Sequence, residues 1–281
     1  MYRLALAALA ALLYLASPAA AGSAAFPHRI VSLSPTATET LFAIGAGKQV
    51  IAVDDQSDYP KRAPRTKLSG FTPNVEAIAS YRPDLVVIAY DAGGLRDSLR
   101  RLHIRVLQQD AAKTLSEAYG QMEQLGRITG HRKQAHALVV RMKTRIAKLV
   151  AHARRVGAGL TYYHELTPDL YSATSTTFVG RVYALFRLRN IADAADRTGS
   201  GYPQLSPEYV VSAAPDLIVL ADSVCCGQSP RTVAARPGWS RIPAVRNGLV
   251  LRIDDSIASR WGPRIVNFVR AVDAALSHVR R

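Results

Sequence analysis

The 281-residue sequence predicts an α/β protein of two Rossmann-like lobes, each with a central parallel sheet. One long backbone helix joins them, and a cleft lies between them. Three observations predict this. Short apolar runs at 84–89 and 216–221 alternate with helical stretches, as in parallel strands covered on both faces. Residues 115–153 break that alternation and read as helix only. The third is an internal echo. Asn74-Val-Glu76 with Pro83-Asp-Leu-Val-Val returns as Ser206-Pro-Glu208 with Pro215-Asp-Leu-Ile-Val, glutamate and proline both offset by 132 residues.

The elements follow in order. Arg3, an apolar run over 4–16, the Ser17-Pro18 break and Ala19-Ala20-Ala21 have the layout of a secretory signal peptide, residues 1–21. The run of 13 is short of the about 20 residues that span a bilayer. No cysteine follows it, so the expectation is an exported protein, soluble after cleavage, without a lipid anchor. The N-terminal lobe, 28–112, reads as a strand at 29–34 and a helix at 35–44, with Thr36 and Glu39 at capping-box spacing. A strand at 50–53, a helix at 74–80, a strand at 84–89, a helix at 95–102 and a strand at 105–107 complete it. The helical segment, 114–155, is split by Gly130. Its second piece carries an apolar stripe (Ala135, Leu138, Val139, Met142, Ile146, Leu149, Val150) opposite Lys133, Arg141, Arg145 and Lys148. The C-terminal lobe, 158–281, reads as a strand at 160–164, helices at 177–186 and 207–213, and a strand at 216–221.

Composition narrows the function. With 48% apolar and 20% charged residues, disorder, collagen-like repeats and coiled coils are excluded. Two adjacent cysteines make no disulfide scaffold. A net charge of +15 points to anionic neighbours, and export weighs against nucleic acid. Nine Lys/Arg and no acid lie between Gln124 and His164. They read as a solvated helix face or as a surface for anionic lipid headgroups. The sequence has no Gly-x-Ser-x-Gly, phosphate-binding glycine loop, His-Glu-x-x-His or Cys-x-x-Cys. We therefore expect no catalytic set, metal site or cofactor, with an exported α/β enzyme as the alternative of another class.

Ligands of open parallel sheets sit beyond the carboxyl ends of the strands. Tyr59, Phe71, Tyr90, Tyr171 and Tyr202 fall on loops there, and together they predict an aromatic-lined pocket for a large flat ligand. The alternative is that each ring packs under its own loop. Glu76 and Glu208 stand near helix starts behind Asn74 and Ser206 as N-caps, where a carboxylate meets the positive end of the helix dipole. Cys225-Cys226 predicts a vicinal disulfide near the cleft mouth, with free thiols binding metal or a corrin cobalt as the alternative. His164, at a strand end, is a candidate axial ligand for haem iron or a hydrogen-bonded core residue.

Arg29-Ile-Val-Ser-Leu-Ser-Pro, Ser57-Asp-Tyr-Pro60, Asn74-x-Glu76 before Pro-Asp-Leu, Tyr202-Pro-Gln-x-Ser206-x-Glu208 and Arg260-Trp-Gly-Pro-Arg264 form a series. That series resembles the cobalamin-binding periplasmic proteins. These belong to the helical-backbone class of ABC-transporter substrate-binding proteins for cobalamin, haem and ferric siderophores. The resemblance runs from Arg29 to the C-terminal helix. It implies that Tyr59, Phe71, Tyr90 and Tyr202 lie against a corrin, with Tyr171 near another such position. It implies that Arg260 meets the ligand's amide rim with Asp255 as its acidic partner. Glu76 and Glu208 would dock into arginines on the two subunits of a two-fold permease, itself coupled to a cytoplasmic ATPase. The implied protein is a monomer that captures cobalamin with little hinge motion, with haem or a ferric siderophore as the alternative ligand. Phe or Tyr stands here at several positions where the family has tryptophan, which leaves siderophores open.

Overall fold

The computed structural model describes residues 25–279, so the expected signal peptide lies outside the described residues. The N-terminal lobe contains β1 (Ile30–Leu33), α1 (Pro35–Ala43), β2 (Val50–Asp54), β3 (Arg65–Leu68), α2 (Val75–Ser80), β4 (Leu85–Ile88), α3 (Leu95–Arg101) and β5 (Arg105–Gln108). Helices α4 (Leu115–Thr129) and α5 (Arg132–Gly157) follow. The C-terminal lobe contains β6 (Thr161–Glu165), α6 (Phe178–Ala184), β7 (Arg189–Asn190), α7 (Pro207–Ala213), β8 (Leu217–Leu220), α8 (Pro230–Ala234), α9 (Pro243–Arg246), β9 (Val250–Arg252), α10 (Asp255–Ala258) and α11 (Ile265–Ser277). The first sheet has the order β3-β2-β1-β4-β5 and the second β7-β6-β8-β9. Every pairing is parallel.

Strands β1, β4 and β8 are buried along their whole length, which is why they read as unbroken apolar runs. The internal echo is a repeated strand entry. Arg82 and Ala214 both take a left-handed backbone (φ 48° and 46°) just before the prolines. The next acid then ties the sheet together. Asp84 accepts from the backbone N–H groups of His28 and Arg29 at 2.7 and 3.0 Å. Asp216 accepts from the N–H of Thr161 at 2.8 Å. Each carboxylate thus pins the neighbouring strand in its own sheet.

Helix α5 has 26 residues, about 39 Å at 1.5 Å per residue. It packs against α4 and α11. Its stripe residues Val139, Met142 and Ile146 join α11's Val269, Val272 and Leu276 in one core cluster. The α4–α5 contact is close: a Cβ at Gly126 would collide with the Ala135 methyl.

The structure starts α1 at Pro35 as read but corrects its cap: the N-cap is Ser34, whose hydroxyl accepts from Ala37 N–H, not Thr36 with Glu39. It also adds β3, β7 and β9, which the sequence reading passed over. β3 (Arg-Thr-Lys-Leu) is a largely polar edge strand, and β7 and β9 have only two and three residues.

Candidate ligand cleft and docking faces

Leaving a large ring in water forgoes burial worth about 1.5–3 kcal/mol. Trp239, Tyr162, Tyr163, Tyr183, Phe186 and Phe268 are fully buried. Tyr59, Phe71, Tyr90, Tyr171 and Tyr202 are instead 42% to 67% exposed. Phe71 and Tyr90 lie side by side, ring centroids 6.3 Å apart. They line a cavity of about 360 Å³ together with Asp54, Asp255, Arg260 and Trp261. The chain beyond the ends of β1, β2, β3 and β4 builds one wall of this cavity, and α10 with the turn after it builds the other. The cavity is therefore an interlobe feature. Tyr171 and Tyr202 are not among its lining residues. They stand on two C-terminal-lobe loops joined by the Tyr171–Gln204 bridge and by Ser172 N–H donating to Pro203 O at 2.9 Å.

A buried ion network fastens the two walls. Glu39, on α1, is 2% exposed. It accepts from Arg260 Nη1 at 2.9 Å, and from Arg264 Nη2 at 2.6 Å and Nε at 3.0 Å. Arg260 also donates to Asp58 at 2.7 Å and to Gln56 O at 2.9 Å. Arg264 lies over the Tyr59 ring, 4.4 Å from its centroid, which places Tyr59 at the same seam. Burial pushes the Asp58 carboxyl up, but the bond and charge of Arg260 outweigh it and hold its pKa below the ordinary value. Asp54 behaves oppositely. Burial, reinforced by Asp55, raises it to about 6 against the hydrogen bonds of Ser57 and the charge of Arg260. Its Oδ1 has no hydrogen-bond partner. Gly70 allows this crowding, since a Cβ there would lie 2.9 Å from Leu33 O and 3.0 Å from Asp54 Oδ2.

Glu76 and Glu208 are each the second residue of their helix, α2 and α7. The caps are as read: Asn74 Oδ1 accepts from Ala77 N–H at 2.8 Å and Ser206 Oγ from Tyr209 N–H at 3.1 Å. Both glutamates are exposed, and neither has an ion-pair partner among the described residues. Glu208 also borders a groove of about 530 Å³ floored by Leu170, Val211 and Trp239.

His164 is not a ligand for haem iron. It is fully buried, its Nδ1 lies 2.7 Å from Tyr183 Oη, and Tyr183 and Phe268 flank it edge-on. Burial lowers its pKa to about 4. Cys225 and Cys226 are joined as a vicinal disulfide in an exposed turn. Among the described residues no three His, Cys, Asp or Glu side chains gather as a metal site.

Residues 30–257 match the family model described as periplasmic binding protein. The chain belongs to that family. Among relatives of this periplasmic binding protein, an ABC transporter substrate-binding lipoprotein of Bacillus subtilis is 32% identical over 253 residues, covering 86% of this chain and 78% of that one. A cobalamin-binding protein of Halobacterium salinarum is 31% identical over 251 residues, covering 85% and 67%. Among solved structures, the vitamin B12-binding protein of Vibrio cholerae superposes with a TM-score of 0.72 at 24% identity, covering 89% and 97%. A haem-binding protein of Roseiflexus gives 0.75 at 24% identity, with the same coverage. At that identity the two structures show the fold. No helix among the described residues is long and apolar enough to cross a membrane.

Three cleft residues of this periplasmic binding protein escaped the sequence reading. Trp261 sits inside the Arg260-Trp-Gly-Pro-Arg264 motif, and its Nε1 donates to Gln121 Oε1 on α4 at 2.8 Å. Asp54 closes an apolar strand, a position where an acid is out of pattern. Glu39 left no signal, because its partners lie more than 220 residues away.

Proposed function

We propose that this protein captures a cobalamin-type corrinoid outside the cytoplasm and delivers it to an ABC importer. The observation that carries the reading is the set of five exposed rings on strand-end loops, in a molecule that fully buries Trp239, Tyr162, Tyr163, Tyr183, Phe186 and Phe268. A macrocycle offers such rings two flat faces, and stacking on them recovers the burial they lack. The cobalamin-binding relative supports the corrinoid. Little hinge motion is needed, because α5 and the Glu39 network restrain the lobes. Arg260 and Asp255 face the cavity, where they meet the ligand rim. Glu76 and Glu208, at equivalent helix positions and unpaired, dock into arginines of a two-fold permease served by a cytoplasmic ATPase. The protein acts as a monomer in the periplasm, after loss of its signal peptide, and catalyses no reaction. Haem or a ferric siderophore is the second reading, favoured by the haem-binding structural neighbour.

Calorimetric titration with cyanocobalamin, with haem and a ferric siderophore in parallel, tests the reading. The expected result is 1:1 cyanocobalamin binding at about −8 kcal/mol or better. Tyr59→Ala with Tyr202→Ala should weaken it by at least about tenfold. A haem or siderophore signal without a cobalamin signal would keep transport and move the ligand.

A further inference from the structure

The whole chain carries a charge of +15, yet its cleft is acidic. Arg260 and Arg264 are the cations at the seam, and protein carboxylates already occupy both. Glu39 takes three of their bonds and Asp58 a fourth. Asp254 lies 3.9 Å from Arg264. Two carboxyls of the cavity lining are left over, Asp54 and Asp255. Asp54 is the sharper case. It is 2% exposed, Oδ1 is unbonded, and Arg260, the cation that acts on it, has other partners. A buried carboxyl oxygen without a partner is destabilising, the more so when charged. That cost is relieved once a ligand donor reaches it.

We propose that Asp54 sets the ligand class of this cleft. Its carboxylate accepts a hydrogen bond from an amide, hydroxyl or amine on the ligand's rim. Its charge, with Asp55 behind it and Asp255 in the same lining, turns away ligands whose rim carries carboxylates. This rests on the interlobe cavity being the ligand cleft, as proposed above, and it adds the selection rule. An amide-rimmed macrocycle satisfies Asp54. A carboxylate-rimmed one meets a like charge in a poorly hydrated wall, where Coulomb repulsion is weakly screened. Among the described residues that line the cavity the one arginine, Arg260, already answers Glu39 and Asp58.

The test compares cyanocobalamin with its rim monocarboxylates, in which one propionamide has become a carboxylate. Both are titrated calorimetrically at pH 8 into the wild-type protein, Asp54→Asn and Asp54→Leu, with haem as a third ligand. Circular dichroism and thermal unfolding verify that each variant is folded. The wild type should prefer the amide form by about tenfold or more for at least one isomer. Asp54→Asn keeps an acceptor oxygen and loses the charge, so it should narrow that preference at least about threefold. Asp54→Leu should weaken cyanocobalamin itself about five- to twentyfold. Corrinoid binding with the same preference in wild type and Asp54→Asn overturns this proposal and leaves the corrinoid reading standing. Haem bound more tightly than cyanocobalamin, with its carboxylates free, overturns both. So does an absence of corrinoid binding by the wild type.

Discussion

Asp222, at the end of β8, is fully buried, and neither of its carboxyl oxygens has a hydrogen-bond partner. Its neighbour Glu165 is gripped by Arg236 through two bonds of 2.6 Å. Burial, then the Glu165 charge, push the Asp222 pKa up to about 7, against its own backbone N–H and Arg236. The folded state therefore holds this proton more tightly than the unfolded chain, whose value is near 3.8. That contribution is complete below the unfolded value and is lost as pH rises through about 7. His164 works in the other direction. Its folded value of about 4 lies below the ordinary 6.5, so its contribution is complete above 6.5 and is lost as pH falls towards 4. Between about 4 and 6.5 the two slopes have opposite signs and offset each other, so the Asp222 decline should stand out as pH rises from about 6.5 through 7. Urea midpoints measured across pH 4–8 check this, and Asp222→Asn should flatten the alkaline decline and raise the midpoint at pH 8. The reading from sequence reached the exposed tyrosines because a ring on a strand-end loop has few alternative roles. It missed Glu39 because the arginines that hold it are distant in sequence, and Asp54 because nothing local marks an acid at a strand end as buried. His164 showed why a histidine at a strand end is ambiguous. Its neighbours Tyr183 and Phe268 arrive from helices that periodicity alone does not orient.

At the scale of elements, burial on both faces made β1, β4 and β8 legible, and the lack of it hid β3. The helical segment was legible for its length and stripe. Its closest contact was not, because Gly126 looks like any helix glycine until Ala135 is seen against it. Gly126→Val should open the α4–α5 packing and destabilise the fold by about 2 kcal/mol or more, read as a lower urea midpoint with an unchanged slope. The face of α5 away from the core carries eight Lys/Arg and no acid. These charges lower the helix's mean hydropathy without disturbing the stripe that packs on α11. Capping was half legible. Asn74 and Ser206 serve as read, whereas the cap of α1 is Ser34, two residues before the expected Thr36.

At the scale of the molecule, the 132-residue echo joins sequence, fold and function. It places a left-handed residue, a proline and a sheet-pinning aspartate at matching points of both lobes. The same echo places on each lobe one exposed glutamate that has no ion-pair partner among the described residues. If those glutamates are docking groups, Glu76→Ala with Glu208→Ala should abolish stimulation of the permease-coupled ATPase and leave cyanocobalamin affinity within about twofold. Single substitutions should fall between. The Glu39 network, by contrast, couples the lobes to each other. Glu39→Gln should leave each sheet intact and loosen the cleft, measured as faster amide exchange at the turn after α10. Family membership, the two-lobed fold and the rings of Phe71 and Tyr90 point to the interlobe cavity, so the central claim is about what fills it. Equilibrium dialysis of the wild-type protein against equal concentrations of cyanocobalamin and haem tests it most directly. The account predicts that the protein retains cyanocobalamin at one equivalent and excludes haem. Retention of haem in preference to cyanocobalamin would contradict it.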